Sequence, residues 1–114
     1  MTYKKFDLEE RFVGLASKIA LFCKDLPMDI AGQYYGNQLL RSSGSAALNF
    51  GEAQGTITNK DYLHKTSLSL KESRVNLKTL NEIEYGPNKI IVFLLDEIEQ
   101  LIRILSTIVK NKIS

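Results

Sequence analysis

The sequence predicts an all-α protein, an antiparallel up-down-up-down four-helix bundle. Four segments repeat apolar side chains at alternating steps of three and four residues, which is the spacing of one helix face. Short stretches rich in Gly, Pro and Asn separate the segments, and links of that length favour antiparallel neighbours. No segment alternates apolar and polar residues as a strand does. The helices are expected at about 7–26, 33–54, 59–85 and 87–111.

The first helix is expected to begin at Asp7 and to end before Pro27. Aspartate is a residue type that caps helix N-termini, and a proline disfavours helical geometry at the residue before it. Residues 27–36 are expected to form a connection, with or without a single turn of helix. The second helix then runs from about Gln33 until Gly55 stops it.

The third helix is expected to be capped by Thr58 or Asn59 and to end near residue 85, just before Gly86. Asp61 lies near its first turn, where the helix dipole favours a negative charge. Pro87 suits the first position of the fourth helix, because that position needs no backbone donor.

Length and composition predict one globular domain that spans residues 1–114. The chain is 44% hydrophobic and 25% charged, which is ordinary for such a protein. It has 15 lysine and arginine residues against 13 aspartate and glutamate residues, so the net charge is only +2. A charge of that size does not by itself require a nucleic-acid partner, and the argument for one depends on where the cations cluster.

Several classes of protein are excluded by what the sequence lacks. Cys23 is the only cysteine and His64 the only histidine, so neither an internal disulfide nor a metal site is expected. No signal peptide and no apolar run long enough to span a membrane are found. We therefore expect a cytoplasmic protein that binds no metal, cofactor or membrane.

A polar seam is predicted on the second helix. At about 100° per residue, its six members fall within an arc of roughly 100°, and apolar residues occupy the rest of the circumference. Short hydrogen-bonding side chains mixed with one Arg and one Glu are typical of a surface that needs partners. We define the polar seam as Gln38, Arg41, Ser42, Ser45, Asn49 and Glu52.

Two interpretations of the polar seam remain open. Either it faces water, or it belongs to a hydrogen-bonded network between helices or between subunits. Gly44 and Gly51 favour the second interpretation, because interior glycines let another backbone approach closely. A buried Arg41 would need Glu52, or Glu72 from the third helix, as its partner. On that interpretation Arg41→Ala is expected to cost about 3 to 5 kcal/mol.

A basic ribbon is predicted on the third helix. Its five side chains lie within an arc of about 80° and extend over about 27 Å of helix, enough to follow several phosphates. No aromatic residue is interleaved, so contacts with the nucleic-acid backbone are expected rather than base stacking. A solvated helix face is the alternative, and Glu82 lies beside the ribbon and weakens it. We define the basic ribbon as Lys60, His64, Lys71, Arg74 and Lys78.

The sequence offers no catalytic residue set. Ser42, Ser43 and Ser45 have no histidine near them in the sequence, so a serine nucleophile with its base is not indicated. Di-iron bundles need Glu-x-x-His pairs on two helices, whereas His64 is preceded three residues earlier by Asp61. No glycine-rich phosphate loop is present either. We therefore expect a protein that is not an enzyme.

Residues 38–53 resemble the signature of a bacterial family of four-helix bundles, first known from open reading frames in intervening sequences of 23S ribosomal RNA genes. Residues 61–63, Asp-Tyr-Leu, and 69–73, Ser-Leu-Lys-Glu-Ser, resemble the third helix of that family. Residues 6–8 resemble its common opening, so the resemblance covers nearly the whole chain. The residues that match its polar positions are Arg41, Ser45, Asn49 and Glu52.

The resemblance implies a bundle that assembles into a ring, often a pentamer, in a family whose molecular role is defined for few members. Some relatives are accessory factors of reverse transcriptases in diversity-generating retroelements, where a basic ring surface binds nucleic acid. Self-association and RNA or DNA binding are therefore implied, with a reverse transcriptase as a partner by family analogy only.

Our leading hypothesis is a non-enzymatic, ring-forming bundle that binds RNA or DNA backbone through Lys71, Arg74 and Lys78, with Lys60 and Arg41 as further contacts. The alternative is a structural or protein-interaction module with no nucleic-acid role, in which the basic ribbon is only a soluble surface. Binding at two salt concentrations, with charge-reversed variants as controls, separates the two hypotheses.

Overall fold

Four helices make up the described part of the chain, which comprises residues 2–54 and 59–113 of a computed structural model, with side chains for residues 8–54 and 59–111. The predicted all-α four-helix bundle is confirmed. It measures 45 × 22 × 20 Å. The helices are α1 (Thr2–Lys24), α2 (Ile30–Ala53), α3 (Asn59–Glu82) and α4 (Asn88–Ile113).

Contacts between helices show that sequential neighbours run antiparallel. The start of α3 lies against the end of α4, the end of α1 lies against the start of α4, and short links join consecutive helices, as expected for antiparallel neighbours. The α2–α3 pair is the most extensive, α1–α4 is the least, and α1 lies diagonally across the bundle from α3. The contacts are Phe12–Phe50 for α1–α2, Ser42–Ser73 for α2–α3, Arg74–Glu99 for α3–α4 and Arg11–Glu97 for α1–α4.

A single apolar core runs along the bundle axis. The rings of Phe12 and Phe50 stack within it, with centroids 4.7 Å apart and planes at 24°. Ile19, Leu70 and Ile98 are fully buried in the same core. Each large apolar side chain removed from water in this way contributes roughly 1.5–3 kcal/mol, so the core supplies most of the driving force for folding.

Helix α1 begins earlier and ends earlier than the sequence predicts. It starts at Thr2, so Asp7 lies inside the helix and the prediction that Asp7 caps it is wrong. It ends at Lys24, because the last turn tightens: the Leu26 N–H donates to a carbonyl only three residues back, at 3.2 Å. Pro27 follows this tightened turn, consistent with its expected role as a stop.

Helix α2 begins at Ile30, so the prediction that residues 27–36 form a connection is wrong for most of that range. Asp29, which was not predicted as a cap, is the N-cap of α2: its Oδ1 accepts a hydrogen bond from the Gly32 N–H at 2.8 Å. A Cβ at Gly32 would lie 1.8 Å from the Pro27 carbonyl oxygen, so this position requires glycine. The predicted stop at Gly55 lies outside the described residues.

Helix α3 ends at Glu82, three residues before the predicted end. The Tyr85 N–H donates to the Leu80 carbonyl at 2.8 Å, and the Glu84 N–H donates to the Asn81 carbonyl at 3.1 Å. Glu84 has a φ of 60°, so these bonds form a Schellman motif with a non-glycine residue in the left-handed position.

The N-termini of α3 and α4 follow the sequence closely. Asn59 is the first residue of α3 and Asp61 lies in its first turn, as predicted, while Thr58 lies outside the described residues. Pro87 precedes α4, and its carbonyl accepts from the N–H groups of Ile90 and Ile91 at 3.1 Å each. It therefore takes the capping position rather than the first helical position.

A hydrogen bond joins the two connections at one end of the bundle. The Tyr85 hydroxyl donates to Asp29 Oδ2, so the link after α3 is tied to the cap of α2. This bond, followed by the Gly32 N–H, lowers the pKa of Asp29 from its ordinary value, and the same bond raises the pKa of Tyr85.

We predict that Tyr85→Phe lowers stability at neutral pH and has little effect in acid. Because the pKa of Asp29 is lowered in the folded protein, its bond stabilises the fold fully above the ordinary value of about 3.9. That stabilisation is lost as the pH falls through the lowered pKa. Urea unfolding midpoints of wild type and Tyr85→Phe should therefore differ near neutral pH and converge in acid.

The control for this experiment is Tyr34→Phe, which removes a hydroxyl from an exposed ring that retains its edge contact with Tyr35. Its unfolding midpoint should stay close to that of wild type at every pH. A difference between wild type and Tyr85→Phe that is equally large in acid would contradict the assigned role of Asp29.

Candidate nucleic-acid interface

The basic ribbon lies along the edge of α3 that faces α4. Lys60, His64, Lys71 and Lys78 are exposed, as a surface that binds phosphates requires. Arg74 is different, because its guanidinium is half-buried against α4. The structure therefore places all five predicted side chains on one helix edge but leaves only four of them unobstructed.

An ion pair anchors the middle of the basic ribbon. Arg74 Nη1 lies 2.8 Å from Glu99 Oε1 on α4. The Arg74 hydrogen bond lowers the pKa of Glu99, and the charges of Arg103 and Lys78 lower it further. Three cations thus surround one carboxylate, which stays ionised and offsets part of the positive charge at this point.

Helix α4 adds cations to the surface that the basic ribbon of α3 begins. The charge of Arg103 lies close enough to lower the pKa of Glu99, and Lys110 lies near Lys60, beside the same cavity. The register of α3 against α4 predicts these additional cations, because antiparallel packing places the end of α4 next to the start of α3. The basic surface is therefore built by two helices.

A cleft of about 530 Å³ opens between the start of α3 and the end of α4. Its floor is apolar and its rim carries charged and hydroxyl side chains. The floor residues are Leu63, Leu105 and Val109, and the rim residues are Lys60, Asp61, His64, Ser67, Ser106 and Lys110.

The surface formed by the basic ribbon and its α4 neighbours, which we call the α3–α4 face, is positive overall. Among the described residues it carries six lysine and arginine side chains, and three carboxylates lie on it or at its margin. Clustered charge of this kind attracts polyanions even when the net charge of the chain is small. The cations are Lys60, Lys71, Arg74, Lys78, Arg103 and Lys110, and the carboxylates are Asp61, Glu82 and Glu99.

The polar seam of α2 does not form one network within the chain. Arg41 and Glu52 are exposed, and within the part of the chain that the structure describes neither makes a hydrogen bond or ion pair. Asn49 is half-buried and donates to the Ser45 carbonyl of its own helix at 2.9 Å. Glu72 of α3 is also exposed. The expectation that Arg41 forms a buried ion pair with Glu52 or Glu72 is therefore wrong within the single chain. A network between subunits stays a prediction.

Within the described residues, the seam contacts α3 through Ser42. Gln38 is half-buried, and Ser42 is buried with its hydroxyl 2.7 Å from that of Ser73. Ser73 also lies 3.0 Å from the Ser69 carbonyl, to which it can donate. This pair of hydroxyls is the one interaction of the polar seam with another helix that the described residues show, and no periodicity in α2 alone points to Ser73.

The small-residue ridge of α2 is formed by Gly44, Ala47 and Gly51; Ala47 packs partly against the core, whereas the two glycines lie on an open surface. A Cβ added at Gly44 or Gly51 would meet nothing within 4 Å. The expectation that these glycines pack against other helices is therefore wrong within the chain. Two apolar side chains, Leu40 and Leu48, flank the small-residue ridge, and Leu48 is 73% exposed.

The family model for 23S rRNA-intervening sequence proteins matches residues 4–107. The chain belongs to the 23S rRNA-intervening sequence protein family. The match covers most of the four helices, so the resemblance inferred from the polar seam and the third helix is confirmed. Comparison with curated proteins and with solved structures gives no significant match.

Among the described residues, no three His, Cys, Asp or Glu side chains are grouped so that they could hold a metal ion. Burial raises the pKa of Cys23 to about 11, so its thiol is protonated at neutral pH and is a poor nucleophile. None of the helices within the described ranges is both long and apolar enough to cross a membrane.

We predict that Arg41→Ala changes the free energy of unfolding of the single chain by no more than about 0.5 kcal/mol, because an exposed side chain without a partner contributes little. Chemical denaturation over a range of protein concentrations measures this. A loss of about 3 to 5 kcal/mol that grows with protein concentration would instead place Arg41 in a buried network between subunits.

Proposed function

We propose that this protein is a non-enzymatic bundle that assembles into a ring-like homo-oligomer and binds RNA or DNA through the α3–α4 face. The observation that carries the proposal is the positive charge of that face, which two helices build together. Lysine and arginine side chains on a convex helical surface contact phosphates, so most of the affinity is expected to be independent of sequence. A cytoplasmic location is part of the same proposal.

Self-association is supported by apolar surface that the chain leaves uncovered. One patch lies on α2, where Leu40 and Leu48 flank the small-residue ridge. A second patch lies between α1 and α4, where Leu21 is 65% and Phe93 is 57% exposed. Exposed apolar patches are typical of protein interfaces. Two different patches on different helices favour head-to-tail contacts, and such contacts form a ring when the rotation between subunits closes.

The subunit number of five rests on the resemblance to ring-forming relatives, and a reverse transcriptase is proposed as a partner only by the same analogy. The described residues contribute the two patches and the charged face, which are compatible with a ring that keeps its cations on one side. A ring multiplies the α3–α4 face by the number of subunits, so a long nucleic acid gains affinity from several weak contacts.

The alternative function is a structural or protein-interaction module without a nucleic-acid role. The pairing of Arg74 with Glu99 favours this alternative, because a guanidinium held by a carboxylate is less available to phosphate. The exposed apolar patches fit either function. The two functions differ in whether reversing the charge of the α3–α4 face changes the binding of nucleic acid.

We predict that a fluorescein-labelled RNA of about 30 nucleotides binds the wild-type protein with a strong dependence on salt. If four cations contact phosphates, the logarithm of the association constant should fall against log salt with a slope of about −3. The double variant Lys71→Glu/Lys78→Glu, which leaves the Arg74–Glu99 pair intact, should weaken binding at least about tenfold. Fluorescence anisotropy at about 50 and 200 mM salt measures both effects.

The matched control is Lys24→Glu/Lys65→Glu, which makes the same change in net charge at two lysines that line neither the cleft nor the α1–α4 patch. Both lysines are exposed. This variant should bind the RNA within about threefold of wild type. Equal loss of affinity in both double variants, or RNA binding that ignores salt, would contradict phosphate contacts on the α3–α4 face, and the absence of RNA binding would favour the alternative function.

We predict that Leu48→Glu breaks the oligomer into smaller species, because a carboxylate replaces an apolar contact at the α2 patch. Light scattering coupled to size exclusion measures the mass directly. Val13→Glu is the control, since Val13 is an exposed apolar residue outside both patches. A wild-type protein that stays monomeric at about 100 μM would contradict self-association.

A further inference from the structure

We propose that the cleft between the start of α3 and the end of α4 accepts one unstacked nucleobase, so the protein prefers single-stranded nucleic acid to duplex. This inference rests on the proposed function, because it concerns one part of the α3–α4 face. It adds a structural class of ligand, which phosphate contacts alone do not specify.

The dimensions and lining of the cleft suit a planar ring. Its volume of about 530 Å³ is within the range of small-molecule sites. Leu63, Leu105 and Val109 form an apolar floor against which a base can lie. His64 adds a planar ring at the rim, and histidine is among the side chains on which RNA bases stack. Contacts with the apolar floor and with the His64 ring can compensate for the stacking contacts that a base loses when it leaves a stack.

Two hydroxyl groups in the cleft are available for the edge of a base. Thr79 and Thr107 donate to carbonyls of their own helices, which is the usual arrangement for helical hydroxyls. Ser67 and Ser106 line the cleft, and within the described residues neither hydroxyl has such a partner. Each can donate and accept, so together they can bind a base edge without strict selection among bases.

The charges around the cleft fit a nucleotide whose base points inward. Lys60 and Lys110 reach the rim from different helices and can hold the phosphates on either side of the base. Asp61 is also on the rim and repels phosphate, so the backbone is expected to keep to the lysine side. Beyond the cleft, Lys71 and Lys78 continue the positive path along α3.

A duplex cannot use the cleft, because its bases are paired and stacked inside the helix. It can contact only the cations of the α3–α4 face through its phosphates. A single strand can make the same phosphate contacts and can also insert a base into the cleft. The preference for a single strand should therefore be about tenfold.

The test compares labelled oligouridylate of about 20 nucleotides with the same strand annealed to oligoadenylate. Fluorescence anisotropy at about 100 mM salt should show wild type binding the single strand about tenfold more tightly. Ser106→Phe fills the cleft from α4, and Ser67→Phe fills it from α3. Each variant should lose most of the single-strand preference while binding the duplex within about twofold of wild type.

The control is Thr107→Phe, which adds the same ring to an exposed neighbouring position outside the cleft lining. It should keep the preference for the single strand. Equal binding of the two probes by wild type, or an unchanged preference in both cleft-filling variants, would overturn the inference and leave the proposed function standing. Failure of wild type to bind either probe would overturn the proposed function itself.

Discussion

The close pairing of α2 with α3 is the constraint on which the rest of the structure depends. Small side chains cover the facing surfaces, and the buried hydroxyls of Ser42 and Ser73 meet at 2.7 Å between them. Both hydroxyls also lie within hydrogen-bond distance of carbonyls of their own helices, so no buried polar group is left unsatisfied at this point. Because α3 is held by this face, its opposite edge and its cations must point toward α4 and solvent.

Helix α4 completes the bundle through two glutamates that lie two residues apart and face different neighbours. Glu97 accepts hydrogen bonds from Nε and Nη2 of Arg11 on α1, at 2.9 and 2.8 Å. Glu99 accepts a hydrogen bond from Nη1 of Arg74 on α3. Residues two apart project about 200° from each other around a helix, so one short segment bridges both sides. These part-buried pairs fix register more than they stabilise the fold. They leave the remaining cations of the α3–α4 face exposed.

The polar seam shows why the spacing of polar residues along a helix does not tell which of them are buried. Its residues carry part of the resemblance to the family whose model matches residues 4–107. Periodicity gives the angle of a side chain around its helix but not the helix that it meets. Ser42, at one edge of the seam, is buried against α3, whereas Arg41, at the other edge, is exposed. The boundary between core and surface therefore runs through the seam itself.

By itself the sequence determined the fold class, the family and the edge of α3 that carries the basic ribbon, because apolar periodicity and residue spacing are local properties of each helix. It misplaced both ends of α1, the start of α2 and the end of α3; the last two depend on Asp29 and on the left-handed Glu84, which act through backbone geometry that composition does not specify. Only the tertiary structure decided which cations share one surface and that a cleft opens beside them. The physical reason is that these features depend on the register of α3 against α4, which is set by packing between residues distant in the chain.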